Sequence, residues 1–145
     1  MPLTADDRYV VAKARIGQLT FRKRLIEKYN GACCLCGLNF PQLLVASHIK
    51  PWAYCNPIEK ADIHNGLLLC RNHDALFAQH LINFDTKGKI IIYETIARTD
   101  YPKLFLDENM RITLIKEMRG YMLAHRRMAL GKKTLEVIRL SMSIK

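Results

Sequence analysis

The sequence predicts an α+β domain in which a short strand–loop–strand–helix unit is closed by metal-ligand turns, followed by a β-hairpin and flanked by helices. Three observations carry this. Two β-rich apolar runs, Leu43 to Ile49 and Gly66 to Cys70, are separated by a stretch holding Pro51 and Pro57 and followed by a helical pattern over Arg71 to Gln79. Cys33-Cys34-Leu35-Cys36 and Cys70-Arg71-Asn72-His73 form a matched CxxC and CxxH. Toward both ends, apolar residues recur at three- and four-residue steps between basic side chains. With 145 residues, half apolar and a quarter charged, the chain supports one domain with a real core rather than two.

In chain order, residues 8 to 29 read as a helix, with Gly17 a point at which it can divide, and Asn30-Gly31 stops it as a left-handed cap. The cysteine cluster then reads as a knuckle-like turn. The run ending at Lys50-Pro51 is the first strand, the intervening stretch marked by Pro51 and Pro57 is loop, and Gly66 to Cys70 is the second strand. Arg71 to Gln79 places Leu76 and Phe77 inward. Leu81 to Phe84 and Lys89 to Tyr93 flank Asp85-Thr86-Lys87-Gly88, a hairpin turn. Residues 94 to 109 read as connection and Met110 to Ile115 as a further strand. Met118, Tyr121, Met122, His125 and Met128 form one face of a helix whose other face carries Arg119, Arg126 and Arg127. Leu135, Ile138 and Met142 keep helical spacing behind Lys132-Lys133, in a tail that frays or orders on a partner. The expected organisation is a single domain over 1–145: a basic helical flank at 1–30, the core and hairpin at 31–93, and a basic flank at 110–145.

Lys and Arg number 23 against 13 acids, a formal net charge of +10, which favours a polyanionic partner over an acidic-ligand protein and makes nucleic acid the first expectation. Residues 1–30 carry +4, residues 31–110 carry −1 and residues 111–145 carry +7, so the basic excess flanks the Cys/His centre. That distribution suits two flanks gripping a phosphate backbone, or simply two solvated helices. No apolar run is long enough for a membrane helix and the N-terminus has no signal-peptide pattern, so a soluble, cytoplasmic protein without a membrane partner is expected. Five cysteines, three of them within 33–36, suit a metal better than a disulfide framework.

The CxxC and CxxH pairs are separated by 33 residues, and together Cys33, Cys36, Cys70 and His73 offer three thiolates and an imidazole for a structural zinc ion. The alternative is a set of buried small hydrophobes. Cys34 can stand in for Cys33 through a poorer CxC turn, whereas Cys55 reads as loop or core. Between the pairs lie Ser47-His48 and Asn65, and Asp74 follows His73 directly.

These motifs in order, CCLC, ASHIKPW from Ala46, NGLLLC from Asn65, RNHD from Arg71 and then Leu76-Phe77, resemble an HNH endonuclease of the ββα-metal superfamily, in a restriction- or defence-like branch with a Cys/His zinc site. The resemblance spans 15–85, including IGQLTFRKRL upstream, and more loosely Tyr121 to Arg126. It implies a small ββα-metal core and metal-dependent hydrolysis of DNA phosphodiesters, leaving 5′ phosphate and 3′ hydroxyl ends. By position it implies His48 as the general base, Asn65 as the residue holding the loop, and Asp74 as ligand of a catalytic Mg²⁺ or Mn²⁺. A hard carboxylate suits that ion and soft thiolates suit zinc. The chemistry needs a base near neutral pKa and a divalent ion to stabilise charge on the phosphorane. The alternative assignment makes His73 the catalytic ligand and Asp74 a surface acid.

Two positions depart from the family pattern: Ser47 stands where many members have a ligating Asp, leaving at most a contact through water, and Ala78 stands where related members have a further carboxylate. They motivate the alternative of an inactive zinc module that binds nucleic acid, while phage or mobile-element DNA processing is the alternative setting. Arg15, Gln18, Arg22 and Arg24, in the upstream segment, are expected nucleic-acid contacts. Lys50 is near enough to His48 to touch a phosphate or to sit solvated. Trp52 reads as packing under the loop with base stacking as the lesser reading, and His64, His80 and His125 read as structural or surface. The expected partner is duplex DNA, and a homodimer and a separate recognition subunit both stay open.

Overall fold

The computed structural model describes the backbone of residues 2–143 and the side chains of residues 2–132. Helix α1 spans Ala5–Lys28, starting earlier than the apolar pattern indicated because Thr4 and Asp7 form a capping box: Thr4 Oγ1 accepts from Asp7 N at 3.0 Å and Asp7 Oδ2 from Thr4 N at 3.1 Å. Gly17 does not divide it. The helix stops as expected, with Asn30 and Gly31 at φ 54° and 69° and Gly31 N donating to Ile26 O at 2.8 Å. Only its last turns reach the core, through Phe21 and Leu25; residues 5–20 are exposed.

Strands β1 (Leu44–His48) and β2 (Gly66–Cys70) pair antiparallel, with Leu44 opposite Cys70 and His48 opposite Gly66. All five β2 residues are buried, which is why this run carries no polar alternation. Gly66 is required by the packing of α1: a Cβ there would lie 2.7 Å from Phe21 Cζ and 2.8 Å from Leu25 Cδ1. The stretch between the strands corrects the expected loop. It contains helix α2 (Pro57–Ala61), with Pro57 in the first turn after an Asn56 cap whose partner is Glu59.

Helix α3 (Arg71–Ala78) follows β2 directly and buries His73, Leu76 and Phe77. Strands β3 (Ile82–Phe84) and β4 (Ile90–Ile92) form the predicted hairpin, its turn set by Asp85 Oδ1 accepting from Lys87 N and Lys89 N, both at 2.9 Å. Gly88, at φ 83°, lets Ile112 pack on the turn. Residues 110–115 do not form the expected strand: they meet the hairpin edge through a Lys89–Arg111 bridge and two bonds, Ile90 N to Met110 O and Ile112 N to Gly88 O, and then leave it.

Helix α4 (Arg119–Ser143) is continuous across the expected tail; the side chains of Leu135, Ile138 and Met142 lie outside the described residues. It buries Met122 and His125 against β3 and α3. His125 stacks on Phe77 with centroids 3.8 Å apart and accepts at Nδ1 from Asn83 Nδ2 at 2.8 Å, which makes it a core residue. Burial, reinforced by neighbouring His80, pushes its pKa down to about 3. Among the described residues no helix is long and apolar enough to cross a membrane.

Candidate active site and metal centre

The knuckle before β1 and the start of α3 bring four ligand atoms together. Those of Cys33, Cys36, Cys70 and His73 all lie within 4.8 Å of one another. Cys36 Sγ to Cys70 Sγ and Cys33 Sγ to His73 Nδ1 are both 4.0 Å, and Cys70 Sγ to His73 Nδ1 is 3.3 Å. Tetrahedral zinc demands edges of roughly 3.8 Å between sulfurs and roughly 3.6 Å from sulfur to nitrogen, so the donor set fits the ion. The CxxC turn is closed by Gly37 N to Cys33 O at 2.9 Å and Cys33 N to Leu38 O at 2.8 Å, and Cys34 N reaches Leu68 O of β2 at 2.8 Å. Cys34 itself stays outside the tetrad, so Cys33 is the ligand of that pair.

The tautomer of His73 is fixed from outside. Its Nε2 lies 3.0 Å from Phe105 O, and a carbonyl can only accept, so Nε2 carries the hydrogen and Nδ1 is left with a lone pair for the metal. Burial opposes ionisation of Cys33, but the neighbouring His73 ring and hydrogen bonds from backbone groups of Cys36, Cys70 and Leu35 outweigh it and bring the thiol to about 6. Burial and the neighbouring sulfurs of Cys33 and Cys70 push Cys36 up to about 12. A cation placed among the three sulfurs would favour the thiolate form of each, the condition that zinc meets.

The other end of the strand pair holds His48. Four residue steps of β1 separate Leu44, opposite Cys70, from His48, about 13 Å along the strand. The His48 ring stacks on Phe21 of α1, with centroids 4.0 Å apart and planes 8° from parallel. Its Nε2 lies 2.9 Å from Lys60 O, so by the same logic Nε2 is protonated; Nδ1 keeps its lone pair and has no hydrogen-bond partner among the described residues. Burial lowers the pKa, aided by the Lys60 charge and opposed by the Lys60 carbonyl, so the ring is neutral at neutral pH.

Asn65, fully buried, fastens the segment that supplies that carbonyl. Its Oδ1 accepts from Lys50 N at 2.8 Å, and its Nδ2 donates to Glu59 O at 3.1 Å and to Cys55 Sγ at 3.4 Å. Glu59 also pairs with Lys50 Nζ at 2.8 Å, so the Lys50 ammonium is engaged within the loop. Cys55 Sγ donates to Lys50 O at 3.3 Å and packs inside the loop, as expected. Tyr121 OH donates to Asp62 Oδ2 at 2.7 Å and ties α4 to the same segment.

Around His48 lies an open groove of about 440 Å³, walled by Arg15, Gln18, Leu19, Phe21 and Arg22 of α1 and by Ala46 and Trp52. Arg15 and Gln18 thus share a surface with His48. Arg22 lines it too, but its guanidinium donates to Leu44 O at 2.6 Å and Pro41 O at 2.8 Å, stapling α1 to β1. Arg24 faces a different groove, with Ile58, Asp62 and His64. Ser47 is buried, opposite Leu67, and strand alternation turns it to the face away from His48. Asp74 is half-buried in the first turn of α3, outside the His48 groove, and makes no hydrogen bond or ion pair among the described residues.

The supporting residues with no place in the sequence reading are Lys60, Glu59 and Phe105, while Phe21 was read only as an apolar residue of the first helix. Lys60 and Phe105 act through backbone carbonyls, which leave no side-chain signature. The capping box Asn56-Pro57-Ile58-Glu59 was legible and would have marked Glu59. No curated protein matches the chain. The family model described as HNH endonuclease matches residues 33–85, a span that contains both halves of the Cys/His tetrad, the strand pair and α3. Over that span the chain is similar to the HNH endonuclease family.

Proposed function

We propose that the protein is a metal-dependent HNH endonuclease that hydrolyses DNA phosphodiester bonds, with restriction of foreign DNA as its setting. The observation that carries this reading is His48: a neutral imidazole, proton-fixed at Nε2 by the Lys60 carbonyl, with Nδ1 unengaged in a groove that Arg15 also lines. Nδ1 takes the proton of the attacking water, and the Lys60 carbonyl steadies the imidazolium that results. Phe21 holds the ring plane. Asn65 keeps the loop, and through it the carbonyl, in place. Arg15, Gln18 and the exposed cations of the flanks position the phosphate backbone in a salt-sensitive way.

Asp74, a hard carboxylate with no partner among the described residues, would hold Mg²⁺ or Mn²⁺ together with water and substrate phosphate, as such ions are commonly held by one or two carboxylates. Such an ion would supply stabilisation of charge on the phosphorane and the departing 3′ oxygen. Zinc at Cys33, Cys36, Cys70 and His73 serves the fold. A binding-only module is the second reading, favoured by Ser47, whose buried hydroxyl replaces a carboxylate. Cleavage of supercoiled plasmid with Mg²⁺ or Mn²⁺ decides between them, using wild type and His48→Ala of equal zinc content. Nicking or linearisation lost in the variant is expected. Wild type that binds DNA but cuts under neither metal would overturn the nuclease reading and leave the binding module.

A further inference from the structure

The groove at His48 offers more than a track for phosphates. Leu19, Phe21, Ala46 and the indole of Trp52 give it an apolar floor. A phosphate gains nothing from such a floor, whereas a nucleobase has two apolar π-faces and a polar edge. The guanidinium of Arg22 is already spent on two carbonyls, which leaves Arg15 as the cation and Gln18 as the amide of this groove. An amide offers both a donor and an acceptor, the pattern that base edges present.

Trp52 is 44% exposed, unusual for the largest aromatic side chain of a small domain. One face of its ring is taken by Lys60, whose Nζ lies 3.8 Å from the ring centroid. Trp52 also lines the groove, while Lys60 is not among the groove's lining residues. The backbone that carries the ring is set by a short 3-10 turn, which Trp52 opens and which Tyr54 N to Pro51 O at 2.9 Å and Cys55 N to Trp52 O at 3.1 Å close. Lys60 therefore touches both elements of the groove: its ammonium covers the indole and its carbonyl orients His48. The volume, about 440 Å³, falls within the roughly 300–1,000 Å³ typical of small-ligand sites.

We propose that this groove receives an unpaired nucleobase stacked on Trp52, next to the phosphate that His48 addresses, so that single-stranded or locally opened nucleic acid is preferred over intact duplex. The proposal rests on the nuclease reading. In a duplex both faces of each base are covered by its neighbours, so a base reaches Trp52 only when it has left the stack. Register with the imidazole then comes through Lys60 and requires no readout of base identity.

Trp52 is the chain's single tryptophan, so its emission reports this contact directly. Wild-type protein without added Mg²⁺ or Mn²⁺ is titrated with a 12-nucleotide DNA strand, its duplex, the duplex with a one-nucleotide bulge, and an abasic strand of equal charge, with occupancy followed by anisotropy of a labelled end. The expected result is quenching by the single strand and the bulged duplex, and little by intact duplex or abasic strand at equal occupancy. Trp52→Ala weakens the natural single strand about five- to 150-fold, the 1–3 kcal/mol of one stacked base, leaves the abasic strand nearly unchanged, and is largely rescued by Trp52→Phe. Unchanged emission with saturating single strand, or equal losses on natural and abasic strands, overturns the proposal. If cleavage still depends on His48 while the emission is unchanged, this inference alone falls; if no nucleic acid binds in any form, the nuclease reading falls with it.

Discussion

Replacing Asn65 by Asp tests whether the loop, rather than the imidazole alone, sets the base. The two side chains are isosteric, so the acceptor toward Lys50 N survives, and only the donor that reaches Glu59 O at 3.1 Å and Cys55 Sγ at 3.4 Å is lost. In its place an oxygen faces a carbonyl oxygen in a position with no solvent exposure. Two buried acceptors without donors cost roughly 1–3 kcal/mol each, so a destabilisation of about 2–6 kcal/mol is expected. The sign with pH is definite. Burial and the facing carbonyl raise the folded-state pKa of the new carboxyl above the unfolded value of about 3.9, so the penalty for the charged form grows as pH rises above that value, by up to about 1.4 kcal/mol per unit until the folded pKa is passed. Urea unfolding at pH 5 and pH 8 measures this, with wild type at each pH as reference. Because the segment carries the Lys60 carbonyl that orients His48, plasmid cleavage also falls, by about 100-fold for a displacement near 1 Å. Equal midpoints at both pH values together with wild-type cleavage would refute the role given to Asn65.

Two further outcomes follow from the same geometry. Purified protein holds one zinc per chain, and Cys70→Ser or chelation removes it and unfolds the core, since the tetrad joins the knuckle to α3; a zinc-free protein with unchanged thermal midpoint would contradict this. His125, held near 3 by burial and His80, stays neutral in the fold while unfolded His protonates near 6.5, so its stabilisation is complete above about pH 6.5 and is lost as pH falls toward 3, by no more than about 5 kcal/mol. His125→Gln removes that titration, so the stability difference between wild type and variant narrows between pH 7 and pH 4, and a constant difference would contradict the account.

The legible parts of this chain are those in which a single local rule decides the outcome. The β2 run was readable because five successive buried residues leave no polar alternation, and the end of α1 because Asn30-Gly31 tolerates positive φ. The metal tetrad was readable because each xx turn places two ligands on one ion. What escaped depended on partners distant in sequence. Pro57 carried a loop signal in isolation, yet in the company of Asn56 and Glu59 it opens a helix. The apolar residues of α1 read as a core face throughout, but the rest of the domain reaches only Phe21 and Leu25. Residues 110–115 had strand alternation without a partner strand long enough to use it. Arg22 carries the composition of a phosphate contact, and nothing in sequence reveals that carbonyls 19 and 22 residues away take its donors.

The two ends of one strand pair divide the labour. At the Leu44–Cys70 end the tetrad joins the knuckle to α3; at the His48–Gly66 end, α1 closes over a glycine too small to hold it off and the Lys60 carbonyl fixes a proton. About 13 Å of strand between them is too far for the zinc to act on a water that His48 deprotonates, so in the nuclease we propose the zinc works only through the fold. His73 and Asp74 are adjacent in sequence, but successive helical residues point about 100° apart. With His73 Nδ1 turned into the sulfur cluster, Asp74 offers no atom to that tetrad, and in the nuclease we propose its carboxylate would take a separate ion. The first turn of α3 can in this way serve two metals from neighbouring positions, with the thiolates drawing the softer ion and the lone carboxylate suited to the harder one.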